Sequence, residues 1–387
     1  MSPIINAAHL DEAKRLARDG DPSVRAALDA LIARADDALA RGPFSVMDKT
    51  LTPPSGDKHD YMSFGPYWWP DPEAPDGLPY IRRDGDVNPA SADDSTDRPA
   101  MTAMATAVHA LALAFHFTDE ARYADRARLL LKTWYLDPAT RMNPDLEYGQ
   151  AIPGKCDGRG IGIIDTAILI RVADALALLE RGDGLTPDER AGIVQWFEAY
   201  LDWLLGSSHG HDERSQHNNH GTWYDTQVAR FALVCGRDDL ARDVVASAGP
   251  VRIAPQVGPD GAQPLELART RSFSYSVMNL RGYCSLALMG DRLGVDLWGF
   301  VSPEGASIRA AIEYLLPYAD PAKEWPHPQM TDAHRVTLVP VLRSAAVAYR
   351  EVRYRDACAS LGADTVARDE HRLILPDQVV QRACRER

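Results

Sequence analysis

Ten stretches of this chain repeat apolar side chains near a 3.6-residue period, and almost none alternate them with period two. That property points to a helical fold, because each amphipathic stripe has to be buried against another element. In residues 22–41 the stripe is Val24, Leu28, Leu31, Ile32 and Leu39, with Asp21 placed to cap the helix start. Equivalent stripes run over 99–117, 120–135, 161–181, 187–205, 221–235, 238–247, 272–290, 305–318 and 331–350. Gly, Pro and Asp punctuate them, as at Gly20-Asp21, Gly182-Asp183-Gly184 and Gly236-Arg237-Asp238. Short turns between successive helices predict antiparallel helical hairpins. The best candidate for a short extended piece is 251–268. No fixed-period repeat of solenoid type is visible, so the reading is one all-α domain of hairpins over residues 1–387.

Two segments break the helical rhythm. Residues 52–98 are dense in Pro, Gly and Asp, and a loop of that length inside a compact domain is usually functional or disordered. Tyr61, Phe64, Tyr67, Trp68, Trp69 and Tyr80 argue for an ordered, packed loop. The second is the Gly-rich run MNPDLEYGQAIPGKCDGRGIGIIDT, which leads into a helix. Asp165 within it reads as a helix-start residue.

Charge narrows the partners. With 42 basic and 55 acidic side chains the formal charge is −13, which disfavours generic nucleic-acid binding but leaves room for a locally basic cleft. No run reaches the roughly 18 to 20 uninterrupted apolar residues of a membrane span. Cys156, Cys235, Cys284, Cys358 and Cys384 are scattered without a CxxC pair, which argues for free thiols. The first residues carry no secretory signal pattern, so the expected location is cytoplasmic as written, or periplasmic or secreted if a leader has been removed.

Two polar clusters carry the chemistry. HGHDERSQHNNHGTWYD holds His209, His211, His217, Asn218, Asn219 and His220. Four histidines this close suggest a metal site, yet no helix-phased ligand motif is present, and a metal-free polar site or a plain polar loop entering a helix is the favoured reading. PLELARTRSFSYSVMNLRGY holds Glu266, Arg269, Arg271, Tyr275 and Asn279. If a helix starts near 270, Arg271 and Tyr275 share a face, and positive charge there favours a phenolate that can act as a base. An amide, an imidazole, a guanidinium and a phenol together suit β-elimination at a uronic acid. The C5 proton lies α to a carboxylate, so donors must stabilise the developing enolate while a base takes the proton.

The segments NNHGTWYDTQ, LELARTRSFSY, YGQAIPGKCDGRGIGIIDT and KHDYMSFGPYWWPDP resemble the alginate lyase family of α-toroid polysaccharide lyases over roughly residues 50–340. The aromatic KHDYMSFGPYWWPD loop is most similar to polysaccharide lyase family 38, which has alginate- and glucuronan-cleaving members. The resemblance implies an incomplete (α/α) toroid of antiparallel helical hairpins with residues 52–98 as a lid loop. It also implies a metal-free site without cofactor. By motif, its neutralising Asn and His fall on Asn219 and His220, its Arg on Arg269 and its catalytic Tyr on Tyr275. The expected activity is cleavage of 1,4-linked uronans, polymannuronate (alginate) or β-1,4-glucuronan, leaving 4,5-unsaturated ends.

Stereochemistry refines that expectation. In β-D-mannuronate and β-D-glucuronate the C5 hydrogen and O4 lie on one face, so elimination is syn and Tyr275 can be base and acid in turn. Guluronate, the C5 epimer, needs a base on the other face, which His220 could supply. Tyr67, Trp68 and Trp69 are candidates to stack on sugar rings. Lys58, His59, Arg159 and Arg271 are candidates to pair with carboxylates, and Gln150 to contact a hydroxyl or carboxylate. The expected partner is thus an anionic polysaccharide or oligosaccharide, with neither nucleic acid nor membrane. The alternatives are an inverting glycoside hydrolase, whose acidic pairs Asp93-Asp94 and Asp238-Asp239 lack aromatic or basic context, a metal-assisted lyase using the His209–His220 cluster, or a non-catalytic sugar binder.

Overall fold

The structure is a computed structural model that describes residues 6–385. In chain order its first helices are α1 (Ala7–Arg18), α2 (Pro22–Leu39), α3 (Arg98–Thr118), α4 (Ala121–Leu131), α5 (Ile170–Arg181), α6 (Pro187–Gly206) and α7 (Ser208–Ser215). Then come α8 (Asn219–Val234), α9 (Asp238–Ala248), α10 (Ala254–Gln256), α11 (Pro264–Leu267), α12 (Ser272–Leu293) and α13 (Ile308–Leu315). They are followed by α14 (Val339–Ala348), α15 (Val352–Ala357), α16 (Ala363–Ala367), α17 (His371–Ile374) and α18 (Asp377–Arg385). Helix, either α or 3-10, therefore occupies most of every stretch that the apolar period marks. The caps agree in detail. Asp21 Oδ1 accepts from the Ser23 amide at 2.8 Å, and Thr186 and Glu189 form a reciprocal capping box ahead of Pro187.

Backbone contacts divide the chain into two compact units, one of residues 35–216 and 230–237, the other of residues 6–34, 217–229 and 238–385. In the first, α3 packs on α4 and α5. By length and composition α3 could cross a bilayer, and 67% of its apolar window is buried. An aromatic core forms where Tyr135 meets the edge of Trp196 at 4.8 Å and Phe197 meets Phe231 at 5.1 Å. Residues 52–97 are ordered without an α-helix. They carry β1 (Met62–Phe64), β2 (Trp68–Trp69) and β3 (Ile81–Arg82). β2 pairs antiparallel with β3, and β1 runs parallel to β4 (Tyr148–Ala151).

One buried ion pair pins both ends of that long segment. Lys49 Nζ lies 3.0 Å from Asp97 Oδ2 and also donates to the carbonyls of Val46, Lys58 and Asp60. Asp97 Oδ2 accepts in turn from the Met62 amide at 2.8 Å. Burial pushes the Asp97 carboxyl up to about 7 and holds the Lys49 amine below its ordinary value. Both charges are driven toward neutrality, so the four carbonyl and amide contacts are what keep the pair affordable in a dry site.

In the second unit α12 is the spine, packing on α9, α11, α13 and α14. Phe273, Val277, Leu280, Tyr283 and Leu286 are its buried stripe. Gly282 lets α8 come close, because a Cβ there would lie 2.8 Å from Thr222 Cγ2. The extended piece expected over 251–268 is instead broken helix, a π-turn at Gly249–Ile253 running into α10, then a turn over 257–263 and α11. The reason is a set of buried polar anchors. Arg252 grips Asp225 through Nε at 2.7 Å and Nη2 at 3.0 Å. Gln256 Oε1 accepts from Thr222, Asn279 and Tyr283, and Asn279 also reaches Gln263 at 2.9 Å. These long-range bonds override local strand preference.

Candidate active site

The residues singled out at 219, 220, 269 and 275 all lie in the second unit. Asn218 starts α8, its Oδ1 accepting from the His220 amide at 3.1 Å. Asn219 is 1% exposed, and its backbone N–H donates to Glu266 Oε1 at 2.7 Å. Its Nδ2 sits 3.0 and 2.9 Å from the two Glu266 oxygens. At most one N–H of that amide is left for another acceptor. Glu266 is the residue whose role the sequence did not disclose. It is 1% exposed, and burial pushes its carboxyl above the ordinary range although the two Asn219 donors pull it down. Its own carbonyl accepts from the Arg269 amide at 3.1 Å, so one residue fixes the start of α8 and the turn that presents Arg269.

Arg269 and Tyr275 are brought together. The guanidinium lies 3.9 Å over the phenol ring, and Nη2 donates to the phenol oxygen at 3.0 Å. Such a donor stabilises negative charge on that oxygen. The expected pairing of Arg271 with Tyr275 on one helical face is corrected. Arg271 is the residue before α12, with φ −122° and ψ 51°, and only its carbonyl reaches Tyr275, accepting from its amide at 3.1 Å. A clamp holds this corner. The Ser272 amide donates to the Pro328 carbonyl at 3.0 Å, Gln329 Oε1 accepts from the Phe273 amide at 3.0 Å, and the Met330 amide donates to the Thr270 carbonyl at 2.9 Å.

Glu266→Gln tests the anchor without changing volume. One oxygen becomes a donor facing the Asn219 donors, so unfolding stability should drop by about 1–3 kcal/mol in a urea titration. An unchanged midpoint would show that Asn219 is held by other means.

Only residues 216–218 of the histidine cluster form a loop entering a helix. Residues 208–215 form α7, with the Ser207 Oγ accepting from the Gly210 amide. His209 Nε2 lies 3.3 Å from the Glu147 carbonyl, His211 Nε2 lies 3.1 Å from the Leu205 carbonyl, and His217 is exposed. Among the described residues no three His, Cys, Asp or Glu side chains are grouped to hold a metal ion.

The first unit gathers part of the remaining candidates. Arg159 donates through Nε to the Gln150 carbonyl at 3.0 Å and through Nη2 to Gln150 Oε1 at 2.9 Å. Gln150 is 4% exposed and holds a positive φ of 50°, which a non-glycine residue adopts only under constraint. Asp165 supplies the constraint. It is no helix start but the centre of a buried network, accepting from Gln150 Nε2 at 2.9 Å, Ser63 Oγ at 2.7 Å and Tyr61 Oη at 3.1 Å. The available signal was a lone carboxylate in the apolar run GIGIIDTAILI, since a buried charge must find partners. Lys155 lies 4.6 Å and Arg159 5.9 Å from the Trp68 ring. Beside them is a cavity of about 490 Å³ lined by Met62, Phe64, Ile152, Lys155 and Cys156. Trp69 is tied by Nε1 to the Asp86 carbonyl, and Tyr67 is half-buried. Lys58 Nζ donates to the Met47 carbonyl at 3.0 Å, and His59 Nδ1 lies 2.6 Å from the Arg141 carbonyl.

Comparison with known proteins addresses the fold and the family. No curated protein matches in sequence. A crystal structure of an alginate lyase from Bacteroides ovatus superposes with a TM-score of 0.92 at 40% identity, covering 97% of this chain and 99% of that one. Alginate lyase A1-III from Sphingomonas species A1 shares the fold at a TM-score of 0.55 and 18% identity, covering 92% of this chain and 96% of that one. A variant of A1-III solved with a tetrasaccharide matches at 0.52 and 16%, over 84% of this chain and 88% of that one. The fold class is the all-α class of these lyases, as the helical period and the motifs imply. The sequence profile of the alginate lyase family matches residues 45–325. The chain thus belongs to the alginate lyase family and is a polysaccharide lyase.

Proposed function

We propose that this lyase cleaves alginate at mannuronate by syn β-elimination, with Tyr275 as base and then acid. The observation that carries the reading is the Arg269 guanidinium donating to the Tyr275 phenol oxygen at 3.0 Å. Tyr275 takes the C5 proton, and the electron pair moves into an enolate of the substrate carboxylate. Arg269 and His220 stabilise that charge as it grows, with Asn219, held by Glu266, at the head of the same helix as His220. Collapse of the enolate forms the C4–C5 double bond and breaks C4–O4, and Tyr275 returns the proton to the departing oxygen. No water is consumed, and one new unsaturated uronate end appears per cut. On guluronate the base would be His220. In the first unit, Trp68 flanked by Lys155 and Arg159 suits the apolar face and carboxylate of an acidic sugar, and Gln150 serves by positioning Arg159. The 40% identity to an alginate lyase supports alginate as the polymer.

The test is to offer polymannuronate, polyguluronate and β-1,4-glucuronan to purified protein, each with and without EDTA. Ultraviolet absorbance from unsaturated uronate should rise fastest on polymannuronate, unaffected by chelator. Activity on glucuronan alone would move the substrate to the C2 epimer, and chelator-sensitive turnover would replace the metal-free mechanism. Reducing ends without the double bond would mean hydrolysis and sink the reading.

A further inference from the structure

Arg269 and Arg271 are two residues apart, yet they are used differently. The Arg269 guanidinium lies over the Tyr275 ring and gives its Nη2 to the phenol oxygen. The Arg271 side chain is half-buried, and its Nε is buried without a hydrogen-bond partner. Among the described residues no carboxylate, carbonyl or aromatic ring engages its guanidinium. A buried donor left unpaired costs about 1–3 kcal/mol, so the free protein carries a penalty here that a bound acceptor would relieve. The backbone from which the side chain springs is fixed on both sides. Arg271 bridges antiparallel to Gln329, the flanking Thr270 carbonyl and Ser272 amide are bonded to Met330 and Pro328, and its own carbonyl caps Tyr275. The guanidinium is thus presented by a rigid corner next to the catalytic pair, with its fork unspent.

We infer that Arg271 is a specificity residue that takes, through Nε and one Nη, the carboxylate of the uronate next to the one being cleaved. The inference rests on the proposed uronan chemistry. A homopolyuronate brings a carboxylate on every sugar. The reacting one is claimed by Arg269 and His220, and its neighbour is the nearest unclaimed bidentate acceptor. The enzyme should therefore favour two consecutive uronates over a uronate flanked by a neutral sugar.

Kinetics on mannuronate oligomers, native and partly methyl-esterified, separate the roles for wild type, Arg271→Ala and Arg271→Lys. Arg271→Ala should raise KM about 10- to 100-fold on native oligomers with kcat nearly unchanged, the loss of one charge-assisted fork. Arg271→Lys should restore part of it, since an ammonium keeps the charge but not the fork. Esterification should raise KM for wild type and add little in Arg271→Ala, because the interaction is already gone. Thermal stability should be unchanged or slightly higher in Arg271→Ala, since no internal bond is lost. A fall in kcat at constant KM, or equal sensitivity of both proteins to esterification, would overturn the assignment. If wild type makes no unsaturated ends from any uronan, the elimination chemistry fails instead. Calorimetric binding of the same oligomers then still decides Arg271, by whether its removal weakens the native oligomer alone.

Discussion

Tyr275→Phe should leave a folded protein whose lyase rate is lower by about 10²–10⁴-fold, the range typical of removing a general acid–base group. The substitution deletes only the phenol oxygen that receives the Arg269 Nη2 donor at 3.0 Å, and it keeps the ring under the guanidinium. KM should move little, because ring and guanidinium remain to meet the sugar. The unsaturated-uronate absorbance and a melting curve, measured on one preparation, check both halves. A variant that keeps more than about a tenth of the rate would transfer the proton steps to another group, with His220 the first to test in the same way.

The second large effect is on stability and lies in the first unit. Asp165→Ala removes the acceptor of Gln150 Nε2, Ser63 Oγ and Tyr61 Oη, all buried, and a neighbour 3.7 Å from Arg98 Nε. Stranding that many donors in a dry interior should cost about 3–5 kcal/mol, comparable to breaking a buried ion pair by removing one partner. Asp165→Asn keeps one acceptor oxygen and should cost less. Urea unfolding of the three proteins measures this. Near-equal midpoints would mean that water or backbone rearrangement satisfies the three donors. The loss should also reach Arg159, because the strained Gln150 that holds its guanidinium depends on Asp165.

Sequence reasoning and structure part company at identifiable residues. The NNH and ELARxxSxxY segments were enough to single out Asn219, His220, Arg269 and Tyr275, and Arg269 does meet Tyr275. Helical phasing chose the wrong arginine, because it assumed a regular helix where Arg271 is still outside α12. Glu266 stood inside the signature without a role, since its value lies in accepting from Asn219, far away along the chain and adjacent in space. The stretch 251–268 was expected to be extended, and buried contacts of Arg252, Gln256 and Gln263 fold it instead into two short helical pieces joined by a turn.

What the sequence determined alone is what repeats along it. The 3.6-residue apolar period set the helices, turn residues set their ends, and short contiguous motifs marked the family and four candidate side chains for its chemistry. Only tertiary structure decided which buried polar groups meet. The Asp165 network, the Lys49–Asp97 pair and the Glu266 anchor each join residues distant in sequence, and the unspent fork of Arg271 is known only once its surroundings are in place. Burying apolar surface is non-directional and tolerates many partners, so a periodic pattern suffices to encode it. A buried hydrogen bond needs one partner at one distance and angle, and that geometry exists only after the chain has folded.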